Sequence, residues 1–109
     1  MLYIVSTDNF AFDPTIPPQQ AAGLIENMVI PTIERLIQLK SEGKVLVAGT
    51  PPGHKSVYFV ADAASHDEIS QLVDSLPLWP VHQWEITPLV DVEGHLGIVR
   101  ELLAHLKSL

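Results

Sequence analysis

Apolar and polar positions alternate between two periods along this chain, and the switches mark its elements. Leu2 to Thr7 is a short apolar run that predicts a first strand. Asp8 to Pro18 holds Asn9, two aspartates and three prolines, and reads as a loop. It is long for a connection in a compact domain, which suits a lid or a rim. From Gln19 to Lys40 the spacing turns helical through Leu24, Met28, Ile33, Leu36 and Ile37, with Ile25 and Ile30 close to the same stripe. Pro17 and Pro18 fall where a first turn tolerates proline. Pro31 lies mid-pattern and should kink the helix or divide it. Gly43 closes it after Lys40, a cation at the helix's negative end.

Lys44 to Ala48 reads as a second strand, and His54 or Ser56 to Ala61 as a third, around a proline-stiffened turn over 49–53. Ser65 and Glu68 form a capping box, followed by the stripe Ile69, Leu72, Val73, Leu76 of a second helix. Pro77 and Pro80 stop that helix. The residues after Pro80 form a fourth strand closed by Pro88. Its alternation sets His82, Trp84 and Ile86 on one face, and Val81, Gln83, Glu85 and Thr87 on the other. A tail over 91–109 carries Leu96, Val99, Leu102, Leu103, Leu106 and Leu109 at helical spacing, with Asp91 or Glu93 near its start.

The order βαββαβ predicts an α+β, ferredoxin-like domain over residues 1–90 with an antiparallel sheet. Helices then cover one face of that sheet, and a second copy of the chain is the simplest cover for the other. The tail helix over 91–109 has no place in that unit. It is expected at a subunit interface, with packing on its own subunit as the alternative.

Composition narrows the function. The 109 residues are 47% hydrophobic and 17% charged, with a formal net charge of −7. Six Lys plus Arg without a cluster argue against nucleic acid, and the net charge argues against anionic membranes. The chain has no cysteine, so disulfides and thiolate chemistry are excluded. There is no signal-peptide pattern and no apolar run near the ~20 residues of a membrane span, so a cytoplasmic protein is expected. No histidine pair has metal-ligand spacing, no glycine-rich phosphate loop is present, and no Ser-His-Asp set stands out. Neither metal nor cofactor is expected.

Three stretches carry a resemblance. Leu76-Pro77-Leu78-Trp79-Pro80, running into Glu85-Ile86-Thr87-Pro88-Leu89, resembles the end of the muconolactone delta-isomerase family, where Leu-Pro-Leu-Phe-Pro leads into the last strand. Gly53-His54 with Tyr58, Val60, Asp62 and Ser65 is similar to that family's middle hairpin, and Ser41-Glu42-Gly43 to the close of its first helix. The resemblance covers residues 1–90 and implies a dimeric α/β barrel, a homodimer or higher homo-oligomer with a cavity between sheets. It implies a double-bond shift in a small lactone from aromatic-compound degradation, by removal of a proton near the carbonyl and its return elsewhere.

Such a reaction needs a base, a group that stabilises the dienolate, and a dry pocket. Glu85 is the base candidate, with a rim carboxylate as its structural alternative. His54 and Tyr58 match the family: His54 is a candidate acid, base or hydrogen-bond donor, and Tyr58 a candidate enolate donor. The alternatives are a turn histidine and a packing tyrosine. Gln83, Thr87 and Tyr3 are candidate substrate-lining residues. Where the resembled family carries His and Lys in strand one, this chain has Ile4 and Ser6. In strand two, Val45, Leu46, Val47 and Gly49 stand in place of Arg, His and Trp. An anion wants cations, so a more neutral lactone or ketone is implied. Two further readings stand beside the isomerase: another cofactor-free barrel enzyme, of monooxygenase or dehydratase type, and a non-catalytic small-molecule-binding oligomer.

Overall fold

Four strands form one antiparallel sheet: β1 (Leu2–Thr7), β2 (Val45–Gly49), β3 (Tyr58–Asp62) and β4 (Trp84–Leu89), in the order β2-β3-β1-β4. The computed structural model describes residues 1–7, 15–53, 56–78 and 83–109. Helices α1 (Pro18–Leu24) and α2 (Ile30–Ser41) lie between β1 and β2, α3 (His66–Asp74) between β3 and β4, and α4 (Val92–Lys107) after β4. This is the ferredoxin-like α+β arrangement that the element order predicts.

Alternation in β1 decides which side is packed. Tyr3, Val5 and Thr7 are buried, while Leu2, Ile4 and Ser6 are only half-buried. The buried set meets Phe59 and Ala61 of β3, Val45 of β2, Leu36 and Leu39 of α2, and Ile69 and Val73 of α3 in one core. Trp84 packs edge-on against Phe59, with ring centroids 6.3 Å apart. The opposite face of the sheet bears no helix of this layer.

Pro31 neither ends the helix nor divides it. Ile25–Val29 winds as a π-helix between α1 and α2, with the Ile30 N–H donating to the Ile25 carbonyl. A wider turn just ahead of proline accommodates the missing N–H. Each extra residue in a turn rotates everything downstream by about 100°. Of the expected buried stripe Leu36 is buried, while Ile33 and Ile37 consequently stand exposed and Thr32 and Leu39 take their place in the core. The helix then ends in a Schellman motif at Gly43, whose φ is +79°. There the Gly43 N–H donates to the Lys40 carbonyl and the Lys44 N–H to the Leu39 carbonyl.

The capping box on α3 forms as a variant. Ser65 Oγ accepts from the Glu68 N–H at 3.2 Å, while Glu68 accepts from the N–H of Ala64 rather than of Ser65. The Leu-Pro-Leu turn that follows is anchored on the helix that carries the π-turn. Leu78 donates its N–H to Thr32 Oγ1 at 3.0 Å, and that hydroxyl donates to the Met28 carbonyl at 2.8 Å. Beyond the turn, β4 runs on through Pro88 to Leu89 instead of ending at Thr87. Its place at the sheet edge tolerates a residue that cannot donate. Among the described residues no helix is long and apolar enough to cross a membrane.

Candidate active site

Strand register assembles the site on the face away from the helices. Ser6 of β1 pairs with Tyr58 of β3 on one side and with Glu85 of β4 on the other. Directly paired residues share a face, so Tyr58, Ser6 and Glu85 stand in one transverse row. Two inter-strand steps put the Cα atoms of Tyr58 and Glu85 about 10 Å apart, a span that a small ring lying over Ser6 bridges. The next row is Val47, Val60, Ile4 and Thr87, an apolar floor ending in a hydroxyl. A bulge at Leu46 shifts the phase of β2, so that Val47 joins this face while Val45 stays in the core.

Glu85 and Thr87 are exposed in the single chain, and Tyr58 is 46% exposed. With Val47 at 55%, this face is a mixed apolar and polar surface lacking a cover. The described cations lie elsewhere: Arg35 and Lys40 on α2, Lys44 beside the α2–α3 cleft, Arg100 and Lys107 on α4. Asp62, two rows from Glu85, is held by the Met1 amino group at 3.0 Å. Clefts of about 230 and 300 Å³ border α2 on the helical side of the sheet, lined by residues such as Arg35, Gln71 and Ser75, away from Glu85.

Of the candidates read from sequence, Glu85, Tyr58 and Thr87 come together. Gln83 is exposed just ahead of β4. Tyr3 is a correction. It pairs with Ala61 and Pro88 on the helix-facing side and is 1% exposed. Its hydroxyl is 2.8 Å from His66 Nδ1 at the start of α3, in a bond whose direction follows the imidazole tautomer. The odd-numbered positions of β1 all face the core, so Tyr3 cannot line the open face. His54, together with Trp79, Pro80, Val81 and His82, lies outside the described residues. Ser6, where the resembled family carries a basic residue, is not among the candidate lining residues read from sequence; the central place of β1 sets it between Tyr58 and Glu85. Among the described residues no cluster of three or more metal-ligating side chains occurs.

A profile of the family described as "Muconolactone delta-isomerase" matches residues 1–93. The chain belongs to the muconolactone delta-isomerase family. Among its relatives, a Muconolactone Delta-isomerase of Cupriavidus pinatubonensis (strain JMP 134 / LMG 1197) is 30% identical over 89 residues, covering 82% of this chain and 91% of that protein. The crystal structure of muconolactone isomerase superposes with a TM-score of 0.67 at 24% identity, covering 84% and 90% of the two chains. A 5-chloro-2-hydroxyhydroquinone dehydrochlorinase from Burkholderia phenoliruptrix AC1100, solved with 2,5-dihydroxybenzoquinone, superposes at 0.58 with 17% identity, covering 85% and 97%. At these identities the two structures speak for the fold, while membership of the isomerase family rests on the profile and the curated relative. The muconolactone isomerase family match ends at residue 93, so nearly all of α4 lies beyond it.

Proposed function

We propose that the open sheet face is the floor of a cavity closed by a second copy of the chain, and that the cavity catalyses a proton-transfer isomerisation of a small lactone or enol-lactone. The transverse row Tyr58–Ser6–Glu85 carries this reading. Glu85 takes a proton from the ring carbon at the far, γ end of the conjugated C=C–C=O system. The C–H electron pair moves into the ring as a dienolate, and the same carboxyl returns the proton to the carbon next to the carbonyl as the double bond shifts. The Tyr58 hydroxyl, across Ser6, donates to the enolate oxygen, and Thr87 orients the ring. A covered sheet supplies the dry surroundings in which a carboxylate becomes a stronger base. With the described Lys and Arg residues all placed off this face, an uncharged lactone or ketone fits better than an anion.

A direct test incubates purified protein with muconolactone, and with its uncharged methyl ester, following enol-lactone formation in the ultraviolet. Turnover that favours the ester, with a loss of about 10²–10⁴-fold in kcat for Glu85→Gln, is the expected outcome. Turnover unchanged in Glu85→Gln removes the base assignment. The exposed Glu85 and the absence of described Lys and Arg residues from this face also favour a second reading, a non-catalytic binder of a neutral ring. Saturable binding of the ester without turnover would establish that reading instead.

A further inference from the structure

Every residue from Val90 to Leu109 is exposed, yet the segment is neither polar nor random. Within the 16-residue α4, Val92, Leu96, Val99, Leu103 and Leu106 are spaced by four, three, four and three, the repeat of a coiled-coil seam. Their exposures range from 44 to 78%. A lone helix of this length is marginal in water, and Gly94 and Gly97 weaken it further. Its order therefore calls for a partner surface.

We infer that α4 pairs antiparallel with α4 of a second copy. In an antiparallel seam the two kinds of core position face each other, which sets Leu96 against the partner's Leu106 and Val99 against the partner's Leu103, each twice by symmetry. The same register places Glu93 beside the partner's Lys107 at both ends, and Leu102 against its own copy across the two-fold axis. Arg100 meets its copy near the centre, at an exposed flank where like charges cost little. A parallel pair sets His95 beside the partner's Arg100 and Leu102 beside the partner's Lys107, with no opposite charges meeting. Charge complementarity thus selects the antiparallel arrangement. A rival seat for the arm is the isoleucine stripe Ile30, Ile33 and Ile37 on α2, which is 41–64% exposed.

Five half-exposed side chains per copy remove roughly 800 Å² in total, short of the ~1,200 Å² typical of a stable specific interface. The arm accordingly acts as a second contact, added to one across the open sheet face. Its test reads the arm separately from that face. Because the chain contains no cysteine, single-cysteine variants report position without interference.

Leu102→Cys and Leu109→Cys in the whole 109-residue chain are each treated with a short bismaleimide. Leu102→Cys should convert largely to covalent dimer. Leu109→Cys should stay monomeric on a denaturing gel, since the register separates its two copies by about 24 Å along the seam. Adding Val99→Asp and Leu103→Asp to the Leu102→Cys chain should abolish the crosslink and lower the helical signal at 222 nm. Three results overturn the inference: no crosslink at Leu102→Cys, equal crosslinking of both variants, or a mixed crosslink between Leu102→Cys and Ile33→Cys chains. Mass in solution reports on the sheet contact independently.

Discussion

Thr32 ties the helix that contains Pro31 to the Leu-Pro-Leu turn ahead of β4, and its hydroxyl can be weighed against its methyl. The side chain is fully buried, at 0% exposure. Its Oγ1 accepts from Leu78 N–H at 3.0 Å and donates to the Met28 carbonyl at 2.8 Å. Thr32→Ser keeps both bonds and removes one buried methyl, at a cost of about 1 kcal/mol. Thr32→Ala removes the methyl and also strands the buried Leu78 N–H, adding about 1–3 kcal/mol. Alanine's better helix propensity returns roughly 0.5 kcal/mol, so the expected totals are about 1 kcal/mol for serine and about 1.5–3.5 kcal/mol for alanine. At an m-value of roughly 1–1.5 kcal/mol/M, the urea midpoint should fall by about 1 M for serine and about 2 M for alanine. Both variants must be compared with the parent at one protomer concentration, because any association adds to apparent stability. Equal midpoints for serine and alanine would show that the hydroxyl bridge contributes nothing, and the anchoring of the Leu-Pro-Leu turn would need another cause.

Three further outcomes follow from local geometry. Tyr3→Phe should cost about 0.5–1.5 kcal/mol through the lost bond to His66, with turnover on any accepted substrate unchanged; a tenfold fall in kcat with stability retained would return Tyr3 to the site. On α4, Gly97→Ala meets open space and should raise helicity and stability by about 0.5–1 kcal/mol, as seen by circular dichroism and thermal melting. A Cβ on Gly94 would lie 2.8 Å from Asp91 Oδ1, the atom that caps the helix through the Gly94 N–H at 2.7 Å, so Gly94→Ala should bring no such gain. Equal gains at both positions would remove the capping role of Asp91.

Local chemistry was readable without coordinates. Ser65 and Asp91 announce helix starts, Gly43 announces a stop, and proline beside helical spacing announces an irregular turn, because each acts through neighbours a few residues away. The alternation of β4 likewise separates Glu85 from Trp84 and Ile86 whatever else the chain does, and the family motif at Leu76–Pro80 names the fold. Phase within a strand, however, does not say which face meets the helices, nor which strands lie alongside. Tyr3 was assignable to either side until the odd positions of β1 proved to be the core set. Ser6 became the centre of the candidate site only when β1 was found between β3 and β4, pairings that join residues about 50 to 80 positions apart. The π-turn before Pro31 and the bulge at Leu46 each insert one residue into a period, turning Ile33 and Ile37 outward and Val47 to the open face. Sequence therefore determined the elements and the family. Packing alone decided the faces, because one inserted residue changes the phase of all that follow, and its acceptance depends on contacts far along the chain.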